Sequence, residues 1–398
     1  MTTDPVSVVS SLGRVHLPTI HPPVKGNVGK PSDELKAKIS LFDPNLPYEQ
    51  ARAIPPIWYR DPQIYEAERS TVFGQNWVAV GRVGDVLTPR SYFKEQVAEE
   101  PVAVLRGADG NLRAFLNVCR HRATELLTNS RGILTDDKVK CDYHGWCYDL
   151  TGRLCKAPEL GPVEGFSREG YSLIPFEAGT FDPLVFIRMQ PGTENLSTTF
   201  EPIVQRTKDM ELSSMKWAGR KEYEVGCNWK VYVDNFLDGG YHVPTIHPAL
   251  IKALNYSQYR TEIFDRCSLQ HSPTKTANDD PTVALRQGAE AMYWWIYPNV
   301  MVNLYKGVMD TNIVLPLGPD RCKVIFDFYF SDGWDQPSID KYITDAHQVQ
   351  LEDMGVCERV QRGLTSNFIE PGPYGKRETG EYHFHQLLAR QLQTAVDQ

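Results

Sequence analysis

The sequence has no excess of basic residues and no long apolar run, and each absence removes a class of protein. Its 42 Lys and Arg against 50 Asp and Glu give a formal net charge of -8, so the chain offers no basic footprint for nucleic acid or anionic lipid. Its longest apolar runs, such as PLVFI and NIVLPL, fall well short of the about 18 residues that a membrane span needs. We therefore expect a soluble globular protein.

Two further absences concern cysteine pairing and nucleotide binding. The 8 cysteines show no spacing typical of a disulfide framework, which indicates a reducing compartment and leaves thiols available for chemistry. No GxGxxG fingerprint follows a strand, so we expect no nicotinamide or flavin in this chain. The N-terminal segment has neither the apolar core of a secretory signal nor the arginines of a transit peptide. We expect a cytoplasmic protein, with the plastid stroma as the alternative.

The pattern along the chain predicts an α+β protein with two domains after an N-terminal arm. Residues 1–45 have little apolar periodicity and form the predicted arm. Residues 46–178 contain short alternating runs such as WVAVGRV and LRAFLNV, separated by Gly turns, which predict a small all-β domain. Residues 179–398 mix an aromatic strand pair near 291–317 with a helix near 338–364, which predicts a larger domain with an antiparallel sheet flanked by helices.

Two segments of the predicted all-β domain each carry one cysteine and one histidine. NVCRHRA contains Cys119 and His121, and CDYHGW contains Cys141 and His144, beside Trp146. A zinc finger usually takes two cysteines from one segment and two histidines from another. In a Rieske 2Fe-2S cluster one iron binds two thiolates and the other two imidazoles, which two Cys-His loops provide. The motifs predict this cluster, with Tyr143 and Trp146 expected to donate hydrogen bonds to the sulfurs or to shield them. Structural zinc and merely buried residues are the alternatives.

A second constellation lies in DNFLDGGYHVPTIH. His242 and His247 are five residues apart, which corresponds to about 140° on a regular helix, so one ion requires a break between them. Pro244 is predicted to provide that break. Two histidines need an anionic third ligand to complete the facial triad of a non-haem Fe(II) site. Asp234 and Asp238 are nearby candidates.

A more distant carboxylate fits this third position better. Asp353 falls into the apolar stripe of the predicted helix, whose members are Ile339, Ile343, Ala346, Val349, Cys357, Val360 and Leu364. Because a buried carboxylate is costly without a partner, an inward Asp353 predicts a metal ligand, with a buried ion pair as the alternative. Glu352 falls elsewhere on the helix and is predicted to be a solvent charge.

From about Phe42 onward the chain resembles the large subunit of the Rieske non-haem iron oxygenases, in particular the choline monooxygenase branch. The resemblance covers NVCRHRA, CDYHGW, NWKVYVDNFLDGGYHVP, MDTNIVLPLGP, CERVQRGL and HFHQLL. It implies a helix-grip catalytic domain, a homotrimer, and electrons from a separate ferredoxin or reductase. It also implies that Asp238 bridges to His144 of a neighbouring subunit. The implied ligands are Cys119 and Cys141 for one cluster iron, His121 and His144 for the other, and His242, His247 and Asp353 for the mononuclear iron.

The resemblance implies hydroxylation of choline to betaine aldehyde hydrate, the first step towards glycine betaine. If AMYWWIYPNVMVNLY forms a strand, Tyr293, Trp295 and Tyr297 line one face, where aromatic rings attract a quaternary ammonium. The alternative is that these residues simply favour a strand core. Leu304 and Val308 replace the Arg and Trp of plant members, which leaves open aromatic hydroxylation, demethylation, or oxidation of glycine betaine or carnitine.

Three smaller expectations complete the picture. A Rieske protein that only transfers electrons would lack the second metal site, and the triad argues against it. The 19 residues between His121 and Cys141 predict an enlarged loop at TNSRGILTDDK that does not affect the cluster. His383 and His385 are predicted to alternate onto one face in structural roles.

Overall fold

The computed structural model describes residues 32–192, 194–275 and 281–396, without the side chains of 281 and 282. These residues form two compact units. The first is Phe73–Thr198, and the second combines 32–72 with 199–396. Residues 1–31 of the predicted arm lie outside the described residues.

The first unit consists mainly of antiparallel strands, as its short alternating runs predict. Seven of its strands form one sheet in the order β1-β10-β9-β4-β3-β2-β5, and β6, β7 and β8 form a second, smaller sheet. The strands are β1 (Val78–Arg82), β2 (Ser91–Val97), β3 (Glu100–Arg106), β4 (Leu112–Leu116), β5 (Arg131–Ile133), β6 (Lys138–Lys140), β7 (Cys147–Asp149), β8 (Leu154–Lys156), β9 (Pro175–Phe181) and β10 (Leu184–Arg188).

The enlarged loop between the two Cys-His motifs is partly ordered into this sheet. Arg131–Ile133 pairs with Ser91–Phe93 as the edge strand β5. The Arg90 side chain donates to Asp137 Oδ1 at 2.7 Å across the same loop. The extra residues therefore extend the sheet edge and leave β6 to lead directly into Cys141.

The second unit has a seven-stranded antiparallel sheet in the order β11-β17-β16-β15-β14-β13-β12. Its hairpins follow local turn chemistry: Tyr305 pairs with Val308 across a two-residue loop in which Gly307 has φ 73°, a conformation that favours glycine. The strands are β11 (Lys216–Val225), β12 (Arg260–Ile263), β13 (Cys267–Pro273), β14 (Glu290–Ile296), β15 (Val300–Tyr305), β16 (Val308–Gly318) and β17 (Arg321–Phe330).

The helices that carry the predicted iron residues belong to the second unit. The long helix α9 begins after Asp335, whose carboxylate accepts the Ser338 N–H at 2.9 Å as an N-cap, and it packs against α5 and β11. Over both units, the α-helices of the described residues are α1 (Asp33–Ile39), α2 (Pro62–Ser70), α3 (Val72–Gln75), α4 (Leu196–Thr207), α5 (Trp229–Leu237), α6 (Val243–Ile246), α7 (Leu250–Ala253), α8 (Pro281–Leu285), α9 (Gln336–Leu364) and α10 (Thr379–Val396). The predicted α+β class is confirmed.

The compact units divide the chain differently from the predicted ranges 46–178 and 179–398. Residues 184–188 belong to the first unit because β10 pairs with both β1 and β9. Residues 46–72 belong to the second unit, where α2 contacts α10. The predicted domains are continuous stretches of sequence, so they cannot match a second unit that combines residues from before and after the first unit.

Candidate active site

The first candidate site lies in two loops of the first unit. Cys119 and His121 follow β4, and Cys141 and His144 follow β6. Both cysteines are 2% exposed, and the rings of His121 and His144 have centroids 4.6 Å apart. The structure thus brings the four predicted residues together as a thiol pair and an imidazole pair, the donor set that a Rieske cluster needs.

The surroundings of this site hold the loops in place. The Cys141 N–H donates to the Trp146 carbonyl at 2.8 Å, and Gly145 has φ 71°, which closes a tight turn around His144. Trp146 stacks on His121 with an interplanar angle of 5° and a centroid distance of 4.9 Å, as expected for a shielding ring. The Tyr148 hydroxyl lies 3.4 Å from Cys119 Sγ. Burial raises the pKa of the Cys119 thiol, a cost that binding of iron to the thiolate would offset.

The second candidate site lies within the second unit, where three predicted residues converge. The Nε2 atoms of His242 and His247 lie 3.7 and 3.0 Å from Asp353 Oδ1. Ligand atoms of the three side chains all lie within 4.8 Å of one another. The Asn235 amide donates to Asp353 Oδ1 at 2.8 Å and fixes this carboxylate. Two imidazoles and one carboxylate at this spacing fit a mononuclear iron.

The break that lets the two histidines converge differs from the predicted one. Pro244 lies in the first turn of the short helix α6, a position where proline is tolerated. His242 is the N-cap of α6, and His247 is its C-cap with φ -116° and ψ 72°, so His247 has left the helical path. The chain turns earlier as well, at Gly239 and Gly240, which have φ 70° and 71°. A Cβ on Gly239 would lie 2.1 Å from the Arg377 carbonyl oxygen, so this turn requires glycine.

Each of the two histidines has a carboxylate on its other ring nitrogen. Asp238 Oδ2 lies 2.7 Å from His242 Nδ1 and also accepts the His242 backbone N–H at 2.9 Å. Glu352 Oε2 lies 2.7 Å from His247 Nδ1. The prediction that Glu352 is a solvent charge is therefore wrong, because His247 reaches it from outside the helix. Burial opposes protonation of His247, but the carboxylates of Asp353 and Glu352 raise its pKa overall.

A cavity of about 130 Å³ begins at the three predicted iron residues and continues along the sheet. A row of paired residues crosses four strands beneath it: Gln270 pairs with Tyr293, Tyr293 with Asn303, and Asn303 with Asp310. All four border the cavity. Because cross-strand neighbours lie on one face, strand register alone places these side chains side by side. Aromatic residues complete the wall, namely Phe236, Tyr259, Tyr305, Phe326 and Tyr342.

Two buried charged residues border the same cavity. Asp310 is 4% exposed and accepts hydrogen bonds from the amides of Asn303 and Asn312 at 2.8 and 3.2 Å. Burial raises the pKa of the Asp310 carboxyl, against these donors. Arg286 is 3% exposed, and its Nη1 lies 3.8 Å from Asp345 Oδ2. The cavity thus combines tyrosine rings with the Asp310 carboxylate and the Arg286 guanidinium, in addition to the Asp353 carboxylate at the predicted iron site.

Comparison with known proteins agrees with this geometry. Residues 76–167 match the family model of the Rieske [2Fe-2S] domain, and residues 212–394 match that of the ring hydroxylating alpha subunit catalytic domain. The chain is 36% identical over 377 residues to choline monooxygenase, chloroplastic, of Arabidopsis thaliana, which covers 90% of this chain and 87% of the relative. The chain belongs to the Rieske non-haem iron oxygenases.

Three further comparisons relate this Rieske oxygenase to known proteins. It is 27% identical over 359 residues to the carnitine monooxygenase oxygenase subunit of Escherichia coli K12, covering 86% of this chain and 94% of the relative. The solved structure of a quaternary ammonium Rieske monooxygenase superimposes with a TM-score of 0.77 at 26% identity, covering 87% of this chain and 98% of that one. Naphthalene 1,2-dioxygenase from Rhodococcus sp. shares the fold, with a TM-score of 0.72 at 18% identity, covering 92% of this chain and 99% of that one.

Membership confirms the predicted cofactors. The oxygenase carries a Rieske 2Fe-2S cluster and a mononuclear non-haem iron, and it uses dioxygen with electrons supplied from outside the chain. The alternative of structural zinc is thereby excluded. No helix in the described part of the oxygenase is both long and apolar enough to cross a membrane.

The three residues of the predicted aromatic cage lie in different places relative to this cavity. Tyr293 borders the cavity and stacks on Tyr259 at a centroid distance of 6.3 Å. Trp295 and Tyr297 are not among the described residues that border it. Trp295 packs instead against Phe384 of α10, with centroids 5.4 Å apart, because this helix covers that end of the strand face.

The two C-terminal histidines lie on a helix and not on a strand, so they do not share a face. His385 is buried between Asp234 Oδ1 at 3.0 Å and the Tyr374 hydroxyl at 2.7 Å. Glu381 brings a second carboxylate to Asp234 and His385. Burial and the Asp234 carboxylate raise the pKa of Glu381 well above its ordinary value. The position of these residues within the core supports the predicted structural role of His385.

Sequence reasoning missed Arg286, Asp310, Tyr259 and Tyr305 in the cavity wall. Asp310 stands in the recognised MDTN motif, and strand pairing with Tyr293 through Asn303 was the signal that could have found it. Tyr305 donates or accepts a hydrogen bond with Tyr293 at 2.7 Å between hydroxyls, across neighbouring strands. Arg286 follows α8 and has no signal in the local pattern.

Proposed function

We propose that this Rieske oxygenase hydroxylates a small quaternary amine, with choline as the first candidate substrate and betaine aldehyde hydrate as its product. The observation that carries the proposal is the cavity wall, which the rings of Tyr259, Tyr293 and Tyr305 share with the carboxylate of Asp310. Aromatic faces attract a trimethylammonium group, and a nearby carboxylate adds to that attraction. The plant relatives named as choline monooxygenases support the same substrate, in a step towards glycine betaine.

The proposal assigns the metals by donor chemistry. Cys119 and Cys141 bind one cluster iron, His121 and His144 the other, and His242, His247 and Asp353 hold the mononuclear iron. When bound, the mononuclear iron supplies the chemistry that activates dioxygen, and the cluster supplies electrons received from a separate ferredoxin or reductase. Asn235 keeps the Asp353 carboxylate turned towards the histidines.

The chain's own residues fix the shape of the cavity wall. Tyr293 and Tyr305 hold each other through their hydroxyls, so their rings keep fixed positions in the wall. At the same cavity, the Tyr232 hydroxyl donates a hydrogen bond to Gln350 Oε1 at 2.6 Å. An ammonium group that rests against these rings would lie in the same cavity as His242 and Asp353.

We also propose a homotrimer in which Asp238 links His242 to His144 of a neighbouring copy. One support is the 2.7 Å contact between Asp238 Oδ2 and His242 Nδ1. Another is the solved structure of the quaternary ammonium Rieske monooxygenase, which gives insight into inter-subunit electron transfer in that protein. Asp238→Asn should retain the cluster and, once saturated with Fe(II), the mononuclear iron, but slow reoxidation of the reduced cluster by dioxygen in the presence of substrate. A parent rate in that variant would argue against this role.

The proposed location is a reducing compartment, either the cytoplasm or, as for the chloroplastic relatives, the plastid stroma. All eight cysteines are unpaired, which supports this choice.

A zwitterionic quaternary amine is the second candidate substrate. Arg286 borders the cavity as a buried guanidinium, which matches a substrate carboxylate better than the alcohol of choline. The carnitine monooxygenase relatives support this possibility.

The test is a single turnover. The iron-loaded oxygenase is reduced without oxygen, then exposed to dioxygen with choline, glycine betaine, carnitine or a small aromatic acid, and products are identified by mass spectrometry. Betaine aldehyde from choline alone supports the first candidate. Oxidation of glycine betaine or carnitine with choline untouched supports the second. Oxidation of the aromatic acid alone would overturn the quaternary amine proposal.

A further inference from the structure

Helix α9 holds His247 from both sides through two consecutive residues. Asp353 Oδ1 lies 3.0 Å from Nε2 of the imidazole, and Glu352 Oε2 lies 2.7 Å from Nδ1. Successive residues on a helix point about 100° apart, so one turn can place two carboxylates on different edges of one ring. His247 itself is 2% exposed, so its ring is shielded from bulk solvent, whereas the Glu352 side chain is 26% exposed.

Glu352 is held in place by its own helix. The Gln348 amide, one turn earlier, donates to Glu352 Oε1 at 3.1 Å. This leaves Oε2 directed at His247 Nδ1. A Nδ1–H that donates to Glu352 places the lone pair of the ring on Nε2, the atom that faces Asp353 and His242.

We propose that Glu352 is a positioning residue of the mononuclear iron site, which fixes the tautomer and orientation of His247 through the Nδ1 contact. Its role matches that of Asp238 at His242, but with one difference. Asp238 also accepts the backbone N–H groups of Tyr241 and His242, so it additionally shapes its own loop. Glu352 makes no such loop contact among the described residues, and its influence on the iron passes through the His247 ring alone.

The proposal predicts a specific change in iron affinity. Loss of such a carboxylate typically weakens metal binding about 10- to 100-fold, because the imidazole is free to turn and is less basic. Glu352→Leu should show this loss, and Glu352→Gln a smaller one, since the amide oxygen still accepts the hydrogen bond without the charge. The matched control is Glu358→Gln on the same helix, where Glu358 accepts the Gly226 N–H at 3.3 Å.

The experiment uses the full chain with its cluster loaded. The mononuclear iron is removed with a chelator, Fe(II) is titrated back without oxygen, and occupancy is followed by the electron paramagnetic resonance of the nitric oxide adduct. The visible absorption of the cluster and the thermal unfolding midpoint are recorded in parallel. A purely structural role would shift the unfolding midpoint and leave the affinity of the folded protein unchanged.

The expected result is weaker Fe(II) binding in Glu352→Leu, with parent affinity in Glu358→Gln. Parent affinity in Glu352→Leu would overturn the proposal, as would equal losses in the Glu352 and Glu358 variants. Should Glu352→Leu not fold, parent affinity in Glu352→Gln would overturn it. The inference rests on the proposed iron ligands, which Asp353→Ala tests separately: iron binding in that variant would refute the ligand set whatever Glu352 does.

Discussion

The two candidate metal sites are assembled in different ways. The cluster residues come from two short motifs, each followed or preceded by a strand of one small unit, and Trp146 from the second motif covers His121 of the first. The mononuclear site takes its histidines from either end of α6 and its carboxylate from α9, about a hundred residues later in the chain. Two short motifs thus carry all the ligands of the first site, whereas tertiary packing brings Asp353 and Glu352 of α9 to the histidines of the second.

The largest expected effect comes from removing a ligand of the mononuclear iron while leaving the cluster intact. Asp353→Ala should abolish turnover and mononuclear iron binding, because two imidazoles without the carboxylate form an incomplete triad. Iron analysis and product formation measure the loss, and the visible absorption of the cluster should persist. Asp340→Ala, an exposed aspartate on the same helix, is the control. Turnover at the parent rate in Asp353→Ala would refute the assignment.

The converse change acts on the first site. Cys141→Ser should eliminate the cluster absorption and multiple turnover, while the mononuclear site still binds Fe(II), because its residues belong to the other unit. The control is Cys155→Ser, whose thiol contacts the Arg153 carbonyl at 3.6 Å. If the cluster spectrum survives in Cys141→Ser, the pairing of ligands is wrong.

A smaller effect concerns the stability of the second unit as a function of pH. Burial lowers the pKa of His383 to about 4, whereas unfolding returns it to its ordinary value of 6.5. The unfolded chain therefore binds the proton more readily, and the contribution present above pH 6.5 is lost as the pH falls towards 4. Between pH 7 and pH 5 the free energy of unfolding should fall by about 2 kcal/mol from this group.

Denaturant unfolding at both pH values measures this loss. His383→Leu should show a smaller decrease than the parent, since the other titrating groups remain the same. An identical decrease in both proteins would mean that His383 is accessible to protons in the folded state.

The smallest effect tests the cavity wall. Tyr293→Leu removes one aromatic face, which is worth about 1 kcal/mol to a bound ammonium and should raise KM for choline about fivefold. Tyr297→Leu is the matched control from the same predicted cage, because Tyr297 is not among the described residues that border the cavity. Equal changes in KM for the two variants would mean that bordering this cavity gives Tyr293 no special role, so the ammonium group binds elsewhere.

Much of the fold and all seven proposed ligands could be predicted from sequence, because apolar alternation and short metal motifs are local signals. Asp353 was found because a carboxylate within a helical apolar stripe is itself a local anomaly. The contact between His247 and Glu352 was missed because it joins two segments that are distant in sequence. The cavity wall was missed for a related reason: Asp310 meets Tyr293 only through Asn303, so its place depends on the register of three strands. Trp295 was misplaced because α10, which covers it, gives no sign in the strand sequence.

The central claim is that the cavity bordered by His242, His247 and Asp353 binds a quaternary amine beside the iron. The most direct measurement is the electron paramagnetic resonance spectrum of the nitric oxide adduct of the Fe(II) oxygenase, recorded with and without choline, carnitine and a small aromatic acid. We predict that a quaternary amine changes the spectrum of the parent protein and that the aromatic acid does not. A spectrum that responds to the aromatic acid and to none of the amines would contradict the account.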